Sequence, residues 1–381
     1  MNKRLSGVAF KVLALLLLTL SDVAVLPAEN RPFTENAFSA PLTAPADGFA
    51  RVFAPRAFHF PSDHGAHNTY RTEWWYFTGN LADREGRNFG YQLTFFRLAL
   101  TPDSLPSKSA WRSNQVYMAH FTVTDVKNQK FYTAERFSRA GLSLAGARAD
   151  KYQVWLHDWS AASVGTSLFP LRIKAVHADF TIDLQLNNEK PVVLHGDKGM
   201  SQKSSEPGNA SYYYSFTRLS TAGELTIGNQ TFPVSGLSWM DREWSTSALS
   251  HNQAGWDWFS LQLSDNSEIM YYQLRLKNGA TDPHSAGTLV KDDHSQFFLD
   301  EERVKIQVLD EWTSPHSAIT YPSQWRLTIP DQNLKLNLIP LINDQELNLS
   351  YRYWEGAVIV RGKKDDRPIT GMGYVELTGY R

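Results

Sequence analysis

From Phe58 onward, apolar and polar residues alternate in short runs, and turn-forming residues break those runs about every ten positions. Thr72-Glu73-Trp74-Trp75-Tyr76-Phe77-Thr78-Gly79-Asn80-Leu81 is dense in aromatic side chains and predicts a strand. The turn-like Glu85-Gly86-Arg87 follows, and Phe89-Gly90-Tyr91-Gln92-Leu93-Thr94-Phe95-Phe96-Arg97 returns as the second arm of a hairpin. Met118 to Val126 alternates, with His120, Thr122 and Thr124 on one face. Strands are also predicted over 154–156, 171–177, 180–186, 212–219 and 224–227. Further on they recur over 268–276, 285–290, 304–309, 324–329, 334–338 and 373–377. The acidic segment 291–302 fits a short strand or a turn. No helical periodicity of two or more turns precedes Gly236, so the pattern predicts an all-β sandwich or barrel.

The ends and the length refine this picture. Lys3 and Arg4 precede an apolar run centred on 13–20, and small residues and Pro27 follow, as in a secretory signal peptide over 1–28. That run falls short of a comfortable bilayer span, so no stable membrane span is expected once the signal is cleaved. Residues 29–55 are rich in Pro, Ala and Asn without a period and read as a linker or arm. The 381 residues exceed what one core usually supports, and Pro233 and Gly236 punctuate the chain. The expected division is therefore an N-terminal unit over 56–235 and a C-terminal unit over 236–381.

Composition removes several functions. The 38 basic and 39 acidic residues balance without a long like-charge run, so no nucleic-acid partner is expected. There is no cysteine, which excludes disulfides, thiolate metal sites and a cysteine nucleophile. No phosphate loop or dinucleotide fingerprint is present, so no cofactor is expected. Gly236-Leu237-Ser238-Trp239-Met240 lacks the final glycine of a nucleophile elbow. His59, His64 and His67 sit in a loop at spacings that do not match a helical ligand pair, and no metal is expected there. Twelve tryptophans, clustered in motifs, suggest walls around something apolar.

One stretch departs from ordinary strand composition. Trp239-Met240-Asp241-Arg242-Glu243-Trp244 holds two acids, an arginine and two tryptophans in six residues, followed by Gly255-Trp256-Asp257-Trp258-Phe259. In an extended strand Trp239, Asp241 and Glu243 share one face, with the carboxylates roughly 6–7 Å apart. Charges are costly to bury unpaired, so the pair marks either a site or an ion-pair network, for example with Arg97. Glu73, on the face of Trp75 and Phe77, is a second candidate buried acid and the natural partner of Arg97 in the adjacent hairpin arm. Tyr353-Trp354-Glu355-Gly356 again sets aromatics around a carboxylate. The candidate ligand-binding set is Glu73, Trp75, Tyr91, Arg97, Trp239, Trp256, Asp257, Trp258, Tyr353 and Glu355.

These motifs, together with His64-Gly65, resemble the secreted lipocalin-like proteins grouped as AttH-like or carotenoid 1,2-hydratase-like, often labelled secreted hydrolases. The resemblance runs from about residue 55 to the C-terminus. It implies two tandem lipocalin-like antiparallel β-barrels of the calycin kind, with a ligand cavity near their interface. It also implies that Asp241 matches the proton-donating aspartate of the hydratases. The sequence departs from those enzymes at Arg242-Glu243, where they tend to carry His-Asn. A carboxyl in an apolar pocket stays protonated and can donate near neutral pH. Trp239 or Trp256 could face a developing cation, and Glu243 could take a proton from water. Two functions follow. One is an exported enzyme that uses Asp241 and Glu243 on a lipophilic, unsaturated molecule, for instance hydrating an isolated C=C bond. The other is a non-catalytic carrier of an apolar ligand working with components of an ABC transport system. An unpaired, protonated Asp241 facing a cavity favours the first, and pairing with Arg97 or Arg242 the second.

Overall fold

The structure, a computed structural model, describes residues 46–103, 109, 112–246 and 249–381. The expected signal peptide over 1–28 and most of the expected linker lie outside the described residues. No helix among the described residues is long and apolar enough to cross a membrane.

Thirteen strands form the first sheet: β1 (Thr72–Asp83), β2 (Asn88–Ala99), β3 (Gln115–Asp125), β4 (Lys130–Arg139), β5 (Ala145–Arg148), β6 (Gln153–Leu156), β7 (Trp159–Ser163), β8 (Leu171–Val176), β9 (Phe180–Asn188), β10 (Val193–Leu194), β11 (Met200–Gln202), β12 (Ala210–Ile227) and β13 (Gln230–Ser245). Its order is β4-β3-β2-β1-β13-β12-β9-β8-β7-β6-β5, entirely antiparallel, and it curls into a nearly closed barrel. Ten strands form the second sheet: β14 (Gln253–Leu263), β15 (Glu268–Leu276), β16 (Ala286–Val290), β17 (Gln296–Asp300), β18 (Lys305–Thr313), β19 (Thr320–Ile329), β20 (Leu334–Pro340), β21 (Glu346–Asn348), β22 (Arg352–Lys364) and β23 (Arg367–Leu377). It makes a half-barrel in the order β17-β16-β15-β14-β23-β22-β20-β19-β18. The expected all-β fold with two tandem barrel-like units is thus present. Segment 291–302 contains a strand, β17, paired with β16.

The division between the units differs from the expected one at 235/236. Gly236 sits inside β13, opposite Leu81 of β1 and Thr221 of β12, so the central acidic stretch closes the first sheet and does not open the second. Pro233 does not mark a boundary because it lies in β13 just beyond the end of the β1 ladder and pairs only with Glu224 of β12, a one-sided position that a strand proline tolerates. The second sheet begins at Gln253.

Burial explains why some strands alternate and others do not. β8 alternates buried and exposed positions, with one face on the core and one in water. β1 is buried on both faces, because Trp75 and Phe77 fill the first barrel while Tyr76 lies in a third apolar cluster with Trp239, Trp258 and Tyr374. That third cluster is the seam where the outer face of the first barrel meets the outer face of the second. The seam is close: a Cβ added at Gly90 would lie 2.6 Å from the Tyr374 hydroxyl and 2.8 Å from Ala357 Cβ. Glycine is the residue that permits this approach.

Candidate functional site

The seam gathers carboxyl groups from both units. On β13, Met240, Arg242 and Trp244 face into the first barrel, and Trp239, Asp241 and Glu243 face the second unit, as strand alternation requires. β22 and β23 bring Glu355 and Glu376 to the same seam, directly opposite each other in the ladder. Like charges in that position repel, which favours keeping a proton between them.

Asp241 is fully enclosed, and its contacts are hydroxyl and indole donors. Trp239 Nε1 donates to Oδ1 at 2.6 Å, Ser215 Oγ donates to the same oxygen, and Tyr213 OH donates to Oδ2 at 2.6 Å. Trp258 Nε1 of the second unit donates to the Tyr213 oxygen at 3.0 Å. No cation pairs with Asp241 among the described residues. Burial therefore dominates and pushes its pKa up to about 7, against the three hydrogen bonds that favour the charged form. Glu376 accepts from Trp256 Nε1 at 2.7 Å; burial and the nearby Asp241 and Glu243 carboxylates push it up to about 7 as well. Glu355 accepts from Tyr76 OH and, at 2.7 Å, from Gln92 Nε2; burial and Glu376 raise it well above the usual carboxylate range.

Glu243 is different. Lys203 Nζ lies 3.1 Å from its Oε1, and Ser211 donates to it. The same ammonium sits 3.9 Å above the Tyr272 ring. The seam thus holds one ion-paired carboxylate beside three carboxyl groups that burial keeps protonated. Such a set can both give and take a proton near neutral pH. Its side chains fit tightly: a cavity of about 10 Å³ lined by Thr78, Asn80, Trp239, Ser260, Gln262 and Tyr374 lies beside it, room for a single water.

Of the residues singled out from the sequence, Trp239, Asp241, Glu243, Trp256, Trp258, Tyr353 and Glu355 meet at this seam. Tyr353 joins through its hydroxyl, which accepts from Gln92 Nε2 at 3.0 Å and lies 2.7 Å from His120 Nδ1. The other candidates do not reach it. Glu73 points into the first barrel between Arg97 (2.8 Å), Arg242 (2.6 Å) and His67 (2.6 Å). Burial alone would raise its pKa, but the two guanidinium groups hold it well below the usual range. Trp75 lies under Arg242, 4.1 Å from ring centre to guanidinium carbon, and Tyr91 bonds Ser238 at 2.6 Å. Asp257 faces the interior of the second unit and pairs with Arg275 at 2.9 Å. The ion-pair network considered for Asp241, Arg242, Glu243 and Arg97 therefore splits by strand face: Arg242 and Arg97 serve Glu73, and Asp241 is left without either.

The loop histidines do not converge. His64 bonds Tyr214 at 2.6 Å, His67 bridges Asp63 and Glu73, and His59 is exposed. Sequence reasoning overlooked Tyr76, His195, Lys203, Tyr213, Ser215 and Glu376. Glu376 carried a usable signal, an acid inside the otherwise apolar Gly373–Leu377 run. Tyr213 and Ser215 share a face of a strand that was recognised, and the two-residue Gly228-Asn229 turn that folds β13 back beside β12 was the signal that could have found them.

Fold and site together define a class: an all-β protein of a nearly closed barrel and a half-barrel, with a carboxyl cluster buried between the two units. A family profile described as AttH-like matches residues 51–380, and the chain belongs to that family. The solved structure named as an AttH from Nitrosomonas europaea is 34% identical. It covers 87% of this chain and 100% of its own, with a TM-score of 0.76. Kievitone hydratase from Nectria haematococca shares the fold at 15% identity, with 87% and 96% coverage and a TM-score of 0.66. Dehydratase asqC of Emericella nidulans is 24% identical over 224 residues, which are 54% of this chain and 60% of that protein, less than two thirds of its length.

Proposed function

We propose that this protein is an acid–base catalyst of the hydro-lyase kind, adding water to, or removing it from, a carbon–carbon double bond of a lipophilic substrate that reaches Asp241 when the closed seam between the two units parts. Asp241 is the acid and Glu243 the base. The observation that carries this reading is Asp241 itself, a carboxyl without a cation partner among the described residues, whose pKa burial sets at about 7. A structural carboxylate would be paired, as Glu73 is. Protonation of a C=C bond at Asp241 leaves a cation that the Trp239 and Trp258 rings stabilise, and Glu243 takes the proton lost by the attacking water. The hydratase and dehydratase names of the relatives support the reaction class. The basic and apolar N-terminus supports action after export, and N-terminal sequencing of the mature protein tests that point.

The decisive experiment incubates wild type and Asp241→Asn with two probes, a prenylated phenol and an acyclic polyene, in ¹⁸O-labelled water. Wild type is expected to yield a product heavier by one labelled water and the Asn variant none. Equal turnover by the variant would overturn the acid assignment. Failure of either probe to react or to perturb tryptophan fluorescence would overturn the lipophilic substrate.

A second reading, transport of an apolar ligand with ABC transporter components, is favoured by one feature. A concave pocket of about 420 Å³ on the first barrel is lined by Phe60, His64, Leu168, Phe169, Val192 and Phe216. Co-purifying lipid in the Asp241→Asn variant, with no turnover by wild type, would support it.

A further inference from the structure

Asp241 has two oxygens in different surroundings, and the difference is traceable to a histidine that touches neither. Indole N–H groups can only donate, so Trp239 fixes Oδ1 as an acceptor. Ser215 Oγ reaches the same oxygen, and behind it His195 Nε2 lies 2.6 Å from Ser215 Oγ. The other ring nitrogen, Nδ1, lies 3.0 Å from Thr288 Oγ1, on β16 of the second unit. Among the described residues Oδ2 meets only the Tyr213 hydroxyl, whose oxygen also receives the Trp258 N–H.

We propose that His195 is a positioning residue for Asp241: held as the Nε2–H tautomer between Thr288 and Ser215, it turns the Ser215 hydroxyl onto Oδ1 and so keeps the acid proton on Oδ2, the oxygen facing Tyr213. The inference rests on the reading of Asp241 as the acid. With two donors on Oδ1, a proton on that oxygen would displace one of them. On Oδ2 it donates to the Tyr213 oxygen, which frees the phenolic hydrogen. When Asp241 ionises, one proton leaves Oδ2, Tyr213 turns its own O–H back to that oxygen, and the Ser215 and His195 bonds are unchanged. The imidazole stays neutral throughout. Burial and the facing Lys203 ammonium lower its pKa to about 3. Tyr213 packs against its ring, with centroids 4.4 Å apart. The groups that face Asp241 are Tyr76, Tyr213, Ser215 and Trp239 from the first unit, Glu243 beside it, and Glu355 and Glu376 from the second.

The test needs no substrate, so its failure is separable from failure of the hydro-lyase reading. The whole protein, labelled with ¹⁵N-histidine and ¹³Cγ-aspartate, is titrated by NMR from pH 5 to 9, with His195→Gln and Asp241→Asn variants to assign the two signals. The expected result is an Nε2–H imidazole on both sides of the Asp241 midpoint. Ser215→Ala should raise that midpoint by about one unit, as should His195→Leu, whereas His195→Gln, whose amide can still donate to Ser215, should restore it. A protonated His195, an Nδ1–H tautomer, or a tautomer that flips at the Asp241 midpoint would overturn the proposal. So would equal midpoints in His195→Leu and wild type when circular dichroism shows both folded.

Discussion

Asp241 stays protonated in the folded chain until about pH 7, but in the unfolded chain it ionises above its ordinary value of 3.8. A raised pKa favours folding only while the unfolded group is also protonated, so Asp241 progressively weakens the fold between about pH 4 and pH 7. The shift corresponds to about 4 kcal/mol. Asp241→Asn should therefore match wild type near pH 4 and exceed it by about 4 kcal/mol at pH 8, read from urea midpoints, while losing turnover. The sign is opposite for Glu73, whose pKa is depressed: its contribution is present above its ordinary value of 4.5 and is lost as pH falls below it. Removing its carboxylate leaves Arg97 and Arg242 buried without a counter-charge. Glu73→Ala should cost about 3–5 kcal/mol at pH 7, measured in the same way. At this scale the sequence was informative about identity and ambiguous about role. Glu73 with Arg97 was legible because cross-strand partners follow from hairpin register. Asp241 was legible as unusual, but its lack of a cation was not.

Within elements, alternation did most of the sorting. Trp239, Asp241 and Glu243 share a face of β13 because side chains of a strand repeat every two residues, and that could be read from spacing alone. The pairing of β22 with β23 could not, although it places Glu355 opposite Glu376. Glu376→Gln removes the neighbouring charge that helps raise Glu355. The Glu355 titration midpoint should fall, and the stability lost between pH 5 and pH 8 should shrink relative to wild type. An unchanged Glu355 midpoint would show that the two carboxyls do not share a proton. β18 illustrates the other limit: it is exposed along nearly its whole length at the sheet edge, so its apolar residues say little about the core.

For the whole molecule, the question is what keeps two outer faces together around a carboxyl cluster. Besides the aromatic cluster, Lys190 and Arg218 of the first unit both grip Glu268 of the second, Lys190 at 2.9 Å. Both cations are largely buried, so Glu268→Gln leaves them uncompensated. The expected outcome is a loss of about 3–5 kcal/mol and, in calorimetry, separation of one unfolding transition into two. A single transition at the wild-type temperature would show that the aromatic seam alone couples the units.

The sequence by itself determined the strand-rich class, most of the strands, the faces of β1 and β13, and the family, because periodicity and short motifs are local. It also supplied half of the seam residues. Only the tertiary structure decided that β13 belongs to the first sheet, that its Asp241 face meets the second unit while its Arg242 face serves Glu73, and that Tyr213, His195 and Glu376 complete the site. The reason is physical. A pKa of about 7 at Asp241 arises from burial between two units, and burial depends on contacts across more than a hundred residues that no local pattern records.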